Sequence, residues 1–263
     1  MTKTTTNPAS DKHTKACVFI AEYAAWLYGC GATCKRIRAN VKRMAQAWCL
    51  NIETTISPGS ISVVLTDETT LQSFVYIKRI PHTAISFFKN TKLSQLSWMI
   101  ADREMTVEEA ETHFRSIIAS PYTNQWLVLV LTSFANMAFC RIFGGDAVAM
   151  TIVFIATFAG FRLKQMLIEE HFDHKVIFLL CSFFSSIIGA SGHIFHLGNT
   201  PDVAVATCVL YLIPGIPYIN SISDLLVGQY LVSYSRFMNA IVLTFSLSVG
   251  FAGGIFLMNL NLF

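Results

Sequence analysis

The sequence predicts an integral membrane bundle of about five transmembrane helices, the fourth one broken, preceded by a small cytoplasmic α+β domain. Three observations carry this prediction. The chain has 263 residues, of which 53% are hydrophobic and only 13% charged, whereas soluble domains run to about 25% charged residues. Fourteen of the 19 Lys and Arg fall before Pro121 and five after it, so the two halves differ in chemistry. Beyond Pro121 the sequence is dominated by long uncharged runs. The predicted division is therefore a cytoplasmic α+β domain over residues 1–121 and a transmembrane helical domain over 122–263. A net charge of +3 is too small to argue for a nucleic-acid partner. The seven cysteines have no framework spacing and read as reduced, packed thiols.

The opening stretch MTKTTTNPASDKHTK is polar and is not expected to act as a secretory signal. From about Thr14 to Cys49 an apolar stripe (Phe19, Tyr23, Trp26, Cys30, Cys34, Ile37, Val41, Met44, Trp48) recurs at steps of three and four. That spacing predicts one helix with one buried face. Its run ACVFIAEYAAWLYGCGA holds Glu22 near the centre and is short for a bilayer, which needs about 20 residues, so it reads as a buried helix. NIETTI and ISVVLT flank the turn signal SPGS, and LQSFVYIKRI is β-branched and aromatic, giving strands. AISFFKNTKLSQLSWMI reads as a helix. Thr106 and Glu109 fit a capping box that opens another, ended before Pro121.

Five apolar segments follow, at approximately 124–143, 146–162, 176–196, 202–230 and 237–258. Arg162, Lys164 and Lys175 are placed in the loop between the second and third, and Arg236 in the loop between the fourth and fifth. By the positive-inside rule those loops and the N-terminal domain are cytoplasmic and the C-terminus lies outside. The expected location is thus a membrane, multi-pass, with the N-terminus cytoplasmic.

The fourth segment contains LIPGIPYINSISD. Pro214 and Pro217 around Gly215 predict an interrupted helix, because proline lacks an amide hydrogen and clashes with the preceding turn. Such breaks survive in a membrane where protein or water satisfies the freed backbone, and in transporters they build substrate sites. Asn220 and Asp224, four apart, share a helical face. Asn220 is expected to bind a substrate carboxylate or amine, and Asp224 an amino group or a coupling proton. The plain alternative is a kink with Asp224 already at the interface.

Several stretches, GATCKRI, ISPGSISVVLT, SPYTNQW, FCRIFGGD and above all GNTPDVAVATCVLYLIPGIPYINSISDLLVGQ, resemble the threonine/serine exporter (ThrE-like) family, most closely its short YjjP-type subunits. The resemblance runs along nearly the whole chain. It implies a non-enzymatic inner-membrane exporter of small polar carboxylates, either threonine and serine or a succinate-like dicarboxylate. It also implies a small YjjB-type membrane subunit as partner, with self-association as the alternative, and no cofactor.

Gly144, Gly145 and Asp146 link the first two spans and read as a tight turn or as a re-entrant part of the transport path. EEHFDH (Glu169 to His174) and the pair His193/His196 lack the third and fourth ligands of a metal site. GASGH around Ser191 has His193 where a nucleophile elbow needs glycine. Small residues at Gly189, Ala190, Ser191, Gly192, Gly250, Gly253 and Gly254 suit close helix packing. A non-transporting membrane scaffold that binds partners through its cytoplasmic domain is the competing function, and the costly break in the fourth span argues against it.

Overall fold

In the computed structural model, residues 8–67, 70–81, 83–121 and 123–259 are described. The expectations for the first seven residues and for the C-terminal end fall outside that range. The chain forms two compact units, Met1–Ser120 with Ile216–Phe237, and Pro121–Gly215 with Met238–Phe263. The sequence-based division keeps residues 216–237 with the bundle, whereas here they pack with the first unit.

In the first unit, α1 (Pro8–Gly29) is followed by α2 (Cys34–Ala47). The single helix expected from Thr14 to Cys49 is therefore two. The stripe continues across the junction, but the backbone does not. Gly31 takes φ +91, a left-handed conformation that favours glycine. Thr33 then caps α2, its hydroxyl accepting from Arg36 N. The apolar run of α1 is largely buried, as its reading required, and α2 buries one face. Tyr23 lies wholly inside, donating to the Leu93 carbonyl at 2.7 Å and accepting from Asn40 at 3.0 Å.

Strands β1 (Leu50–Ile56), β2 (Ser60–Asp67) and β3 (Ser73–Arg79) form an antiparallel sheet in the order β1-β2-β3. SPGS makes the first turn, pairing Ile56 with Ile61. On β2 the alternation of period two buries Ile61, Val63 and Leu65 in the core that also holds residues of α1. Helix α3 (Phe87–Asp102) is capped by Ser86, and α4 (Val107–Ala119) opens with the expected Thr106–Glu109 capping box.

The second unit contains α5 (Gln125–Ile142), α6 (Ala147–Glu169) and α7 (His174–Ile194), then α8 (Pro201–Thr207) and a 3-10 turn at Leu210–Leu212. Helix α9 (Gly215–Leu226), from Ile216 onward, and the first turns of α10 (Tyr230–Leu257) belong to the first unit, and the rest of α10 to the second. By length and composition α5, α6, α7 and α10 can each cross a membrane, and the broken pair of segments around Pro214 makes a fifth candidate. Two loop assignments are corrected. Arg162 and Lys164 lie on α6, which continues through the good helix formers Leu163 to Glu169, and Lys175 lies in the first turn of α7. Arg236 lies on α10, because the intervening turn is confined to residues 227–229 around Gly228 at φ +74. In the second unit glycines set the helix spacing, since a Cβ at Gly250 of α10 would overlap the Leu179 carbonyl and Ser182 hydroxyl of α7.

Candidate functional site

The break begins where α8 ends. Pro201 occupies its first turn, where no intrahelical donor is needed. After Thr207 the chain tightens into the 3-10 turn, with Leu212 N on Val209 O at 3.0 Å and Ile213 N on Leu210 O at 3.1 Å. Pro214 precedes α9 and Pro217 lies in its first turn. The prolines thus set the start of a new helix at little cost, rather than stripping hydrogen bonds from the middle of one. The Thr207 carbonyl, at the end of α8, accepts Asn136 Nδ2 of α5 at 3.1 Å, and the same amide donates to Thr157 of α6 at 2.6 Å. A buried side-chain amide therefore satisfies backbone next to the break, as an apolar medium requires. Close by, Tyr211 and Ser185 of α7 pair through their hydroxyls at 2.8 Å, in the space left by Gly160 of α6. Asn136 and Tyr211 line a cavity of about 410 Å³ whose other walls include Thr132, Phe139 and Ile213.

Asn220 and Asp224 do share a face of α9, and in the first unit that face meets the turn between α1 and α2. Asn220 Nδ2 donates to the Gly31 carbonyl at 3.0 Å. Asp224 is completely buried. Its Oδ1 accepts from Cys34 N at the start of α2, and its Oδ2 from Arg236 Nη1, both at 2.7 Å. A carboxylate at a helix N-terminus also complements the helix dipole. Arg236 further donates to the Ala32 carbonyl at 2.9 Å and, through Nε, to Tyr28 OH at 3.3 Å. Ser221 and Ser233 close the α9–α10 hairpin through reciprocal bonds of 2.8 Å to each other's carbonyls. Each polar atom of Asp224 thus has a partner within the protein.

Gly144, Gly145 and Asp146 form the α5–α6 turn. Gly144 takes φ +87, and Gly145 packs so tightly on Cys140 that a Cβ would meet its sulfur at 2.5 Å. Asp146 caps α6, Oδ1 accepting from Ala149 N at 2.8 Å, while Oδ2 accepts from Asn199 N at 2.7 Å. Its carboxyl is held below the ordinary carboxylate range, first by the Asn199 amide and then by the Ala149 amide. These residues join two loops of the second unit, α5–α6 and α7–α8. Of the histidines, His193 faces Asp202. Among the described residues no three His, Cys, Asp or Glu side chains converge as a metal would need.

The sequence profile of the ThrE family, described as "Putative threonine/serine exporter", matches residues 18–258. The chain belongs to the ThrE family.

Among relatives of this ThrE-family chain, a protein of Escherichia coli named "Probable succinate transporter subunit YjjP" is 27% identical over 203 residues, covering 76% of this chain and 77% of the relative. A protein of the same name from Klebsiella aerogenes is 23% identical over 241 residues, covering 90% of each. No solved structure matches. Family membership agrees with the resemblance carried by the interrupted fourth segment. The sequence reading missed Asn136, Thr157, Ser185 and Tyr211. Each sits in a largely apolar segment, and the available signal was the spacing of Thr157 and Gly160 on one face of α6.

Proposed function

We propose that this chain is one subunit of an inner-membrane secondary exporter of small polar carboxylates, with its N-terminal domain cytoplasmic. The single observation that carries the reading is the interrupted fourth segment, with satisfied polar side chains packed beside it in an otherwise apolar bundle. A scaffold gains nothing from such a break, whereas a transport path uses it. Pro214, Gly215 and Pro217 create the break. Asn220 and Asp224 act on transport by fixing α9 beyond it, and Gly144, Gly145 and Asp146 by fixing the loops at one end of the bundle. Both relatives carry names of succinate transporter subunits, and the family description names threonine and serine. The candidate substrates are therefore a succinate-like dicarboxylate and those amino acids. Broken-helix transporters are commonly built from paired repeats, and four or five spans supply one set. A small YjjB-type membrane subunit is the proposed partner, ahead of self-association.

The test is uptake of radiolabelled succinate and threonine into proteoliposomes holding the chain alone, the small subunit alone, or both. Flux of either compound only with both present supports the reading. Undiminished flux by the chain alone removes the partner, and no flux in any arm removes the exporter.

A further inference from the structure

Along α6, Thr157, Gly160 and Lys164 follow at steps of three and four, so they share one face. That face is lined by polar groups of the surrounding elements. Thr157 meets Asn136, and Gly160 leaves room for the Ser185–Tyr211 hydroxyl pair. Phe161 links the next step, its ring centroid 6.0 Å from that of Tyr211 and 5.5 Å from Lys164 Nζ. The ammonium also lies 5.3 Å from the Phe178 ring of α7. None of the ion pairs among the described residues involves Lys164. Arg236, by contrast, has its carboxylate in Asp224. A cation on a candidate span, held by two aromatic rings and in none of those ion pairs, has its charge available to an anionic ligand.

We propose that Lys164 binds the carboxylate of the transported molecule, with the Tyr211 and Ser185 hydroxyls forming the next polar station toward the break. This rests on the exporter reading above and adds to it the residue that selects for an anion. In this column the Phe161 ring lies between Lys164 and Tyr211, and Thr157 holds Asn136. Tyr211 and Asn136 face the cavity of about 410 Å³, a size in the range of small-molecule sites. A free carboxylate can accept from the ammonium in place of bulk water, beside the two phenyl rings. A neutral or cationic metabolite of the same size gains nothing there.

The experiment measures succinate uptake kinetics in proteoliposomes containing the full chain with its small partner subunit, normalised to inserted protein. Lys164→Gln is expected to raise KM about tenfold or more, the loss of a charge-assisted contact, with maximal rate changed less than about twofold. Lys164→Arg is expected to keep KM within about threefold, because the charge is retained. A wild-type KM in Lys164→Gln, or a fall in maximal rate alone, overturns the proposal and leaves Lys164 as an anchor at the helix end, the exporter reading standing. Absence of carboxylate flux in the unmutated complex overturns both. Should Lys164→Gln fail to insert, Tyr211→Phe, which keeps the ring packing, carries the test. A several-fold higher KM supports the column and an unchanged KM overturns it.

Discussion

Replacing Asp224 by Asn tests the central polar contact of the first unit. The side chain keeps its shape, so the effect isolates charge. In the native protein the carboxylate accepts two bonds of 2.7 Å, one from Cys34 N and one from Arg236, and Asp224 is fully buried. Hydrogen bonds to charged groups contribute about 1.5–3 kcal/mol each, and removing one partner of a buried pair costs about 3–5 kcal/mol. In the Asn variant Oδ1 still accepts from Cys34 N, more weakly. The new amide nitrogen, however, faces the guanidinium donor to donor, leaving a buried charge uncompensated. A loss of about 3–5 kcal/mol is expected, which for a chain of this size lowers the melting temperature by roughly 6–20 °C. Three of the four tryptophans (Trp26, Trp48, Trp98) lie in the first unit, so tryptophan fluorescence of the detergent-purified chain during heating reads the right region. Asp224→Asn combined with Arg236→Gln should lose less than the sum of the two single changes, as coupled partners do. An Asp224→Asn protein melting within about 2 °C of the parent, a shift worth well under the predicted loss, refutes the reasoning. If that protein also loses transport, Asp224 contacts the substrate instead of fixing the hairpin.

Cys34 sits beside the same carboxylate, and burial followed by the Asp224 charge pushes its thiol up to about 12. At pH 7.5 a maleimide should therefore modify exposed Cys49 and spare Cys34, and mass spectrometry showing equal labelling would contradict that environment. Gly250→Ala should destabilise the second unit by about 1–3 kcal/mol through overpacking, because the Cβ overlaps the Leu179 carbonyl and Ser182 hydroxyl. Gly253→Ala, whose Cβ would sit 3.5 Å from Phe183, should be close to neutral in the same thermal assay. Because the Asp146 carboxyl is depressed in the folded state, its contribution is present above the unfolded carboxylate value of about 3.9 and is lost as pH falls through the lower folded value. Protection of the Asn199 and Ala149 amides, measured against their intrinsic exchange rates, should accordingly fall in Asp146→Ala at pH 7, and in the parent only at acidic pH. Equal protection in both proteins at pH 7 would remove Asp146 as the link between the two loops.

Local chemistry made part of this protein legible in its sequence. The prolines at 214 and 217 restrict their own backbone, so the interruption needs no distant residue to announce it. The same holds for the Thr106–Glu109 box, the SPGS turn and the strand alternation of Ile61, Val63 and Leu65, each decided within a few residues. The split between α1 and α2 was also locally encoded, in Gly31 and Thr33, but the apolar stripe continues across it because both helices bury residues in one core. Periodicity reports which face is buried and is blind to a change of helix axis. The partners of Asp224 were beyond local reach. Cys34 is 190 positions away, and only folding brings its amide to the carboxylate, turning an expected free acidic group into half of a buried pair. Arg236 looked like a loop charge until the short turn at Gly228 placed it on α10. The polar column on α6 has the same origin. Asn136, Ser185 and Tyr211 come from three separate segments, and their amide and hydroxyl groups meet the Thr157–Gly160 face of α6 only when helix packing brings them there.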